Sequence, residues 1–188
     1  MNFFRINPRR GYASYVGPDD GQEINEPRIT PPYRKVEPVL TEYLGDPPRK
    51  PGKHGDIHKS ANAFFVGARA REIFHAAARE HVRTASTRLV GRENEDFHQV
   101  WVLNFVDCLD LGRTIASPSS GFYKDKIGVI TRPVFDETRW DGSDLFVVPQ
   151  DPSYCFFCTE RFIERWREAK FKGAMFSRFL MDPNAISC

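Results

Sequence analysis

Cys155 and Cys158 stand three positions apart just before a predicted helix. That spacing suits thiol redox work, because a helix N-terminus favours the thiolate. Phe156 and Phe157 lie between the two sulfurs, however, in a run that reads as a strand, and the Gly-Pro spacer usual in redox sites is missing. We read both as buried free thiols, since free Cys is among the most buried residue types. Zinc would need a second ligand pair. His54 and His58 are four apart, but in a Gly/Pro-rich segment where they share no helical face, so a solvated loop is expected there. His75, His81 and His98 have no common spacing, and Cys108 with His98 makes only half a site. No metal or cofactor is expected.

Two further groups carry charge in a useful arrangement. Asp107 and Asp110 follow the most apolar strand of the chain. Carboxylates at a strand end can serve acid–base chemistry or a metal. The run Asp107-Cys-Leu-Asp110-Leu-Gly-Arg113 equally fits a turn in which Asp110 caps amides and meets Arg113. We favour the turn, which leaves no catalytic residue. The segment Asp136-Glu137-Thr-Arg139-Trp140-Asp141-Gly-Ser-Asp144 is the best candidate for binding a partner. Tryptophan is a preferred interface anchor, and acids beside it steer a basic partner into register. The alternative is a solvated loop whose Trp140 folds back into the core. Arg92-Glu-Asn-Glu-Asp96 is a weaker second patch.

These groups need elements to hold them. Ala63-Phe-Phe-Val-Gly-Ala-Arg69-Ala-Arg-Glu72-Ile-Phe74 aligns without a gap on Cys155-Phe-Phe-Cys-Thr-Glu-Arg161-Phe-Ile-Glu164-Arg-Trp166, 92 positions on. Both read as a strand running into a helix. The first helix, Ala68 to Glu80, places Ala70, Ile73, Phe74 and Ala77 on one face. The second places Phe162, Ile163, Trp166 and Ala169 on one face, with Thr159 as its N-cap and Gly173 at its end. His98 to Asp107 reads as a central strand covered on both faces. Further strands are expected at Met1 to Ile6, Thr87 to Val90, Lys126 to Thr131 and Pro133 to Phe135. The predicted fold class is α+β: a mixed or antiparallel sheet with two main helices following two similar strand–helix units. Residues 1–60 should form a first strand plus a Pro/Gly-rich arm, with Val36 to Leu44 its best-ordered piece. Residues 61–182 should form the core and 183–188 a tail.

Composition narrows the function. A chain of 188 residues is long enough for one domain with a self-sufficient core. A net charge of +2 is too small for a nucleic-acid binder, and no apolar run reaches the ~20 residues that span a bilayer. The start lacks the apolar segment of a secretion signal, so a cytoplasmic protein is expected. Sixteen Phe supply large rigid surfaces for core or interface.

Three stretches resemble the type-eleven immunity-protein family of bacterial polymorphic toxin systems. They are Gly55-Asp-Ile57 with Phe64-Phe-Val66 and the helix after it; Trp101-Val-Leu-Asn-Phe-Val-Asp107-Cys-Leu-Asp110, similar to a "Val-Asp-x-Leu-Asp" block; and Asp144-Leu-Phe146 through Phe176. The resemblance implies a protein that binds and blocks one cognate toxin, with no catalytic residues. Two other readings stay open: a small enzyme using Asp107 and Asp110, and a non-catalytic homodimer joined through the repeated helices.

Overall fold

The computed structural model describes residues 1–9, 43–45, 55–60, 63–89, 92–118, 127–151 and 155–188. Most of the proline-rich arm, Val36 to Glu42 and His54 included, lies outside these. In chain order the elements begin with β1 (Phe3–Pro8), β2 (Tyr43–Gly45), β3 (Ile57–Ser60) and β4 (Ala63–Gly67). Helix α1 (Ala68–Ala78) ends in a single 3-10 turn and leads to β5 (Val82–Leu89) and β6 (Phe97–Val102). After β7 (Ile115–Ala116), β8 (Ile130–Arg132) and β9 (Leu145–Val147) come β10 (Phe156–Thr159), α2 (Glu160–Glu168), β11 (Ala174–Ser177) and β12 (Ile186–Ser187). The fold is α+β, with two α-helices among the described residues.

The described strands form two five-stranded sheets and a two-stranded ribbon. The first sheet has the order β12-β11-β1-β10-β9 and is antiparallel throughout. The second has the order β2-β5-β6-β4-β3, antiparallel except where β2 runs parallel to β5. Strand β6 is central and every residue of it is buried. It stops at Val102, five residues short of the predicted end. There the chain leaves the second sheet, and Asn104 to Val106 exchange backbone hydrogen bonds with Val147 of the first. The strand expected at Pro133 to Phe135 reduces to one bridge, Phe135 with Leu109. The tail residues Ile186 and Ser187 pair with β11 and form the first sheet's edge strand.

The internal similarity in the sequence is a duplication of structure. In one unit β3 and β4 form an antiparallel pair, α1 follows β4, and β5 returns two places away with β6 between them. In the other, β9, β10, α2 and β11 repeat this order, with β1 between β10 and β11. The middle strand of each sheet therefore comes from the opposite half of the chain: β1 sits in the C-terminal sheet and β6 in the N-terminal one. Corresponding positions meet across the join. Phe64 touches Phe156 at 4.3 Å between ring centroids, and Phe74 faces Trp166 at 6.4 Å. The residue before β3, Asp56, donates its amide to the carbonyl of Lys172 just beyond α2, and the residue before β9, Asp144, donates to Ala77 in α1.

Alternation along the strands divides the core. Phe4 and Ile6 of β1, Phe64 and Val66 of β4, and Phe156 and Cys158 of β10 turn to the side that carries both helices. The stripes Ala70, Phe74, Ala77 and Phe162, Ile163, Trp166 close over them. The two helices spend those apolar faces on each other and on the sheets, as in the contact of Phe74 with Phe162 at 5.5 Å. On the far side of the first sheet, Phe3, Phe146 and Phe157 pack beneath the long connection from β6 to β9, which supplies Val106, Cys108, Leu109 and Ile130.

Three local expectations are corrected. His58 is buried in β3 rather than solvated in a loop, because its position opposite Phe65 turns it to the sheet face away from the helices. Thr159 occupies the N-cap position as expected but makes no side-chain cap bond; its hydroxyl donates to the Asp144 carboxylate at 2.6 Å. The first left-handed residue after α2 is Lys170 (φ 58°), with Gly173 (φ 94°) serving the return into β11.

Candidate partner-binding surface

The segment Asp136 to Asp144 leads from the connection over the first sheet into β9, and its own short side chains stiffen it. Asp136 Oδ1 accepts from the Thr138 amide at 3.0 Å and the Thr138 hydroxyl at 2.7 Å, starting a 3-10 turn at Glu137–Arg139. Those two bonds hold the Asp136 carboxyl below its ordinary value. Asp141 repeats the device on Ser143, whose amide and hydroxyl donate at 3.0 and 2.6 Å. Partial burial pushes the Asp141 carboxyl up, but the Ser143 bonds and the Asn104 amide outweigh it and leave it lowered. Trp140 is half-buried. Its indole N–H donates to the Ser143 carbonyl at 3.0 Å and its ring meets Phe3 edge-on at 5.5 Å.

The six predicted residues divide by depth. Glu137, Arg139 and Asp141 are exposed, Asp136 and Trp140 partly covered, and Asp144 buried at 6 %. Glu137 accepts from the Met1 amine, and Arg139 pairs with Asp107. Asp144 lies beneath the surface as a staple: it receives the Thr159 hydroxyl, Arg161 Nε at 2.8 Å and Arg165 Nη1 at 3.3 Å. A carboxylate beside the first turn of α2 also complements the positive end of the helix dipole. The loop thus presents exposed acids on a frame anchored by Trp140 and Asp144.

Residues that the sequence did not single out complete this frame. Asn104, buried at 5 %, donates to the Ser143 hydroxyl at 2.8 Å and to Asp141 Oδ2 at 3.3 Å. Its only signal was its place in the apolar run after Trp101. Between the end of α1, Asn104, the loop and the start of α2 lies an open polar cleft of about 350 Å³, rimmed by Glu80, Asp141, Arg161 and Arg165.

The other chemical candidates take structural places. Asp110 accepts the Arg113 amide at 3.2 Å and faces its guanidinium at 3.7 Å, in the expected turn. Asp107 is held by Arg139 and by the Gln150 amide. Cys155 and Cys158 are buried, and three steps along an extended segment place them on opposite faces of the sheet, in different core clusters. Desolvation drives the Cys158 thiol well above its ordinary range and Cys108 to about 12. His98 lies 3.1 Å from Asp96, in the second sheet, while Cys108 packs in the cluster beneath the first. Among the described residues no group of His, Cys, Asp or Glu is placed to hold a metal, and no helix is long and apolar enough to cross a membrane.

These carboxylates and thiols thus take structural places in an α+β scaffold that carries a hydrogen-bonded acidic loop. The sequence model of the Immunity protein family (Imm11) matches residues 16–179, which spans both structural units, and the chain belongs to that family. No curated protein matches it.

Proposed function

We propose that this chain is a cytoplasmic immunity protein that neutralises one cognate toxin of a polymorphic toxin system by stoichiometric binding, without catalysis. Family membership across residues 16–179 carries the reading. The surface offered to the toxin is the loop of Asp136, Glu137, Arg139, Trp140 and Asp141, with Asp144 holding it from beneath. Its internal hydrogen bonds support this choice, because a loop already ordered loses little conformational freedom on binding. The exposed acids suit a basic toxin surface, and a stable complex would bury on the order of 1,600 Å² around a few anchors.

The test is growth. The adjacent reading frame is expressed in a host with and without this chain. Killing by the neighbour, rescue by this chain and one-to-one co-purification are expected. Charge reversal at Glu137 and Asp141 together should weaken the complex on the order of tenfold. A harmless neighbour, or failed rescue with both proteins folded, would overturn the reading.

A further inference from the structure

A second concavity, of about 370 Å³, opens between β1, β8 and the bend that follows β11. Phe3 and Phe135 line it, their rings 4.8 Å apart. Arg132 and Arg178 stand exposed on its rim, and neither pairs with an acid among the described residues. The Arg178 guanidinium lies over the Phe4 ring at 5.5 Å, which fixes it without neutralising it.

An apolar lip adjoins the rim. The Leu180 amide donates to the Thr131 carbonyl at 2.8 Å, so the bend runs beside β8 next to Arg132. There Leu180 is 44 % and Met181 78 % exposed, with Val129 and Ile115 also exposed on the ribbon. Met181 holds a left-handed backbone, φ 64°, which a side chain other than Gly or Asn rarely adopts. Asp182 secures the bend by accepting the amides of Arg178 at 2.8 Å and Asn184 at 2.9 Å. Met181 thus stands exposed on a bend whose two sides are tied by Asp182.

We propose that this cleft is an anchor pocket for a protein partner, receiving an aromatic or aliphatic side chain flanked by carboxylates. The unpaired guanidinia match a carboxylate, and the lip and aromatic floor match the apolar group. Glu137 lines the same cleft but is already paired with the Met1 amine, which leaves the two guanidinia to a partner carboxylate. The partner's identity as toxin rests on the immunity reading; the chemistry of the pocket does not.

The probe is acetyl-Glu-Phe-Glu-amide, titrated into isotope-labelled full chain while the arginine side-chain and methyl resonances are followed. Acetyl-Lys-Phe-Lys-amide and inorganic phosphate are the comparisons. Saturable shifts at Arg132, Arg178, Leu180 and Met181 are expected with the acidic peptide and not with the lysine peptide. The double variant Arg132→Glu/Arg178→Glu should weaken binding at least about tenfold while the remaining spectrum stays in place. Leu180→Ser with Met181→Gly, a change confined to exposed positions, should weaken it as well. Equal shifts from phosphate would make this a simple anion site and overturn the proposal, as would no response to the peptide. Peptide binding together with failed rescue sinks the immunity reading alone. Rescue and undiminished toxin binding by the charge-reversed chain sink the pocket alone.

Discussion

Asp144 shows how far a residue's role depends on depth. As one of four acids in a nine-residue segment it reads as surface charge, yet it ties the start of α2 to the loop through Thr159, Arg161 and Arg165. Hydrogen bonds to a buried charged group contribute about 1.5–3 kcal/mol. The two arginines are half exposed and add little more, because solvent screens them. Asp144→Ala is therefore expected to cost ~2–3 kcal/mol in urea unfolding, and Asp144→Asn less, since the amide oxygen still accepts from Thr159. Asp141 makes a different prediction. Its folded carboxyl is depressed, so its stabilisation is complete above the unfolded aspartate value of about 4 and is lost as pH falls through the lower folded value. Carbon NMR should find Asp141 titrating below that value, and Ser143→Ala should move it upward. A Ser143→Ala protein with an unchanged Asp141 titration would show that the loop is held by something else.

At the scale of elements, the two strand–helix units were legible because their signal is local. Phe-Phe followed by an apolar stripe at helical spacing marks β4–α1 and β10–α2, and the alignment at 92 positions predicts which residues correspond. The contact of Phe64 with Phe156 turns that correspondence into a measurable coupling. Each Phe→Ala should cost about 3–5 kcal/mol, as for a fully buried aromatic ring. In a double-mutant cycle the pair should show about 0.5–1.5 kcal/mol of coupling beyond additivity. Additive losses would mean the two units do not brace one another. The cap position at Thr159 was legible too, but not the bond its side chain makes. A Thr before a helix is a local signal, while the partner to which its hydroxyl donates, Asp144, comes from 15 residues upstream.

The whole molecule is organised by an exchange. Each half of the chain lends its first strand to the other half's sheet, so neither sheet is complete without both halves. A chain split in the exposed turn between Arg92 and Asp96 should give two fragments that are unfolded alone. Mixed, they should recover the native circular dichroism spectrum with one-to-one stoichiometry. A fragment that folds cooperatively by itself would contradict the interlocked arrangement. The proposed contact surface is likewise a property of the assembled whole: the candidate loop and the Arg132–Arg178 cleft adjoin because the long connection after β6 packs over the first sheet against Phe3 of β1.

The amino-acid sequence by itself determined the α+β class, the paired strand–helix units, the buried helical stripes, the turn at Asp110 and the resemblance to immunity proteins. All of these are written in residue type and short-range periodicity. Tertiary structure alone decided that β1 and β6 trade sheets, that Ile186 and Ser187 complete an edge, that His58 and Asp144 are buried, and that Arg132 and Arg178 share a cleft. A strand's pattern states which face is apolar but not which strand it will pair with. For β1 that choice falls to contacts with residues far along the chain, such as Phe4 with Cys158.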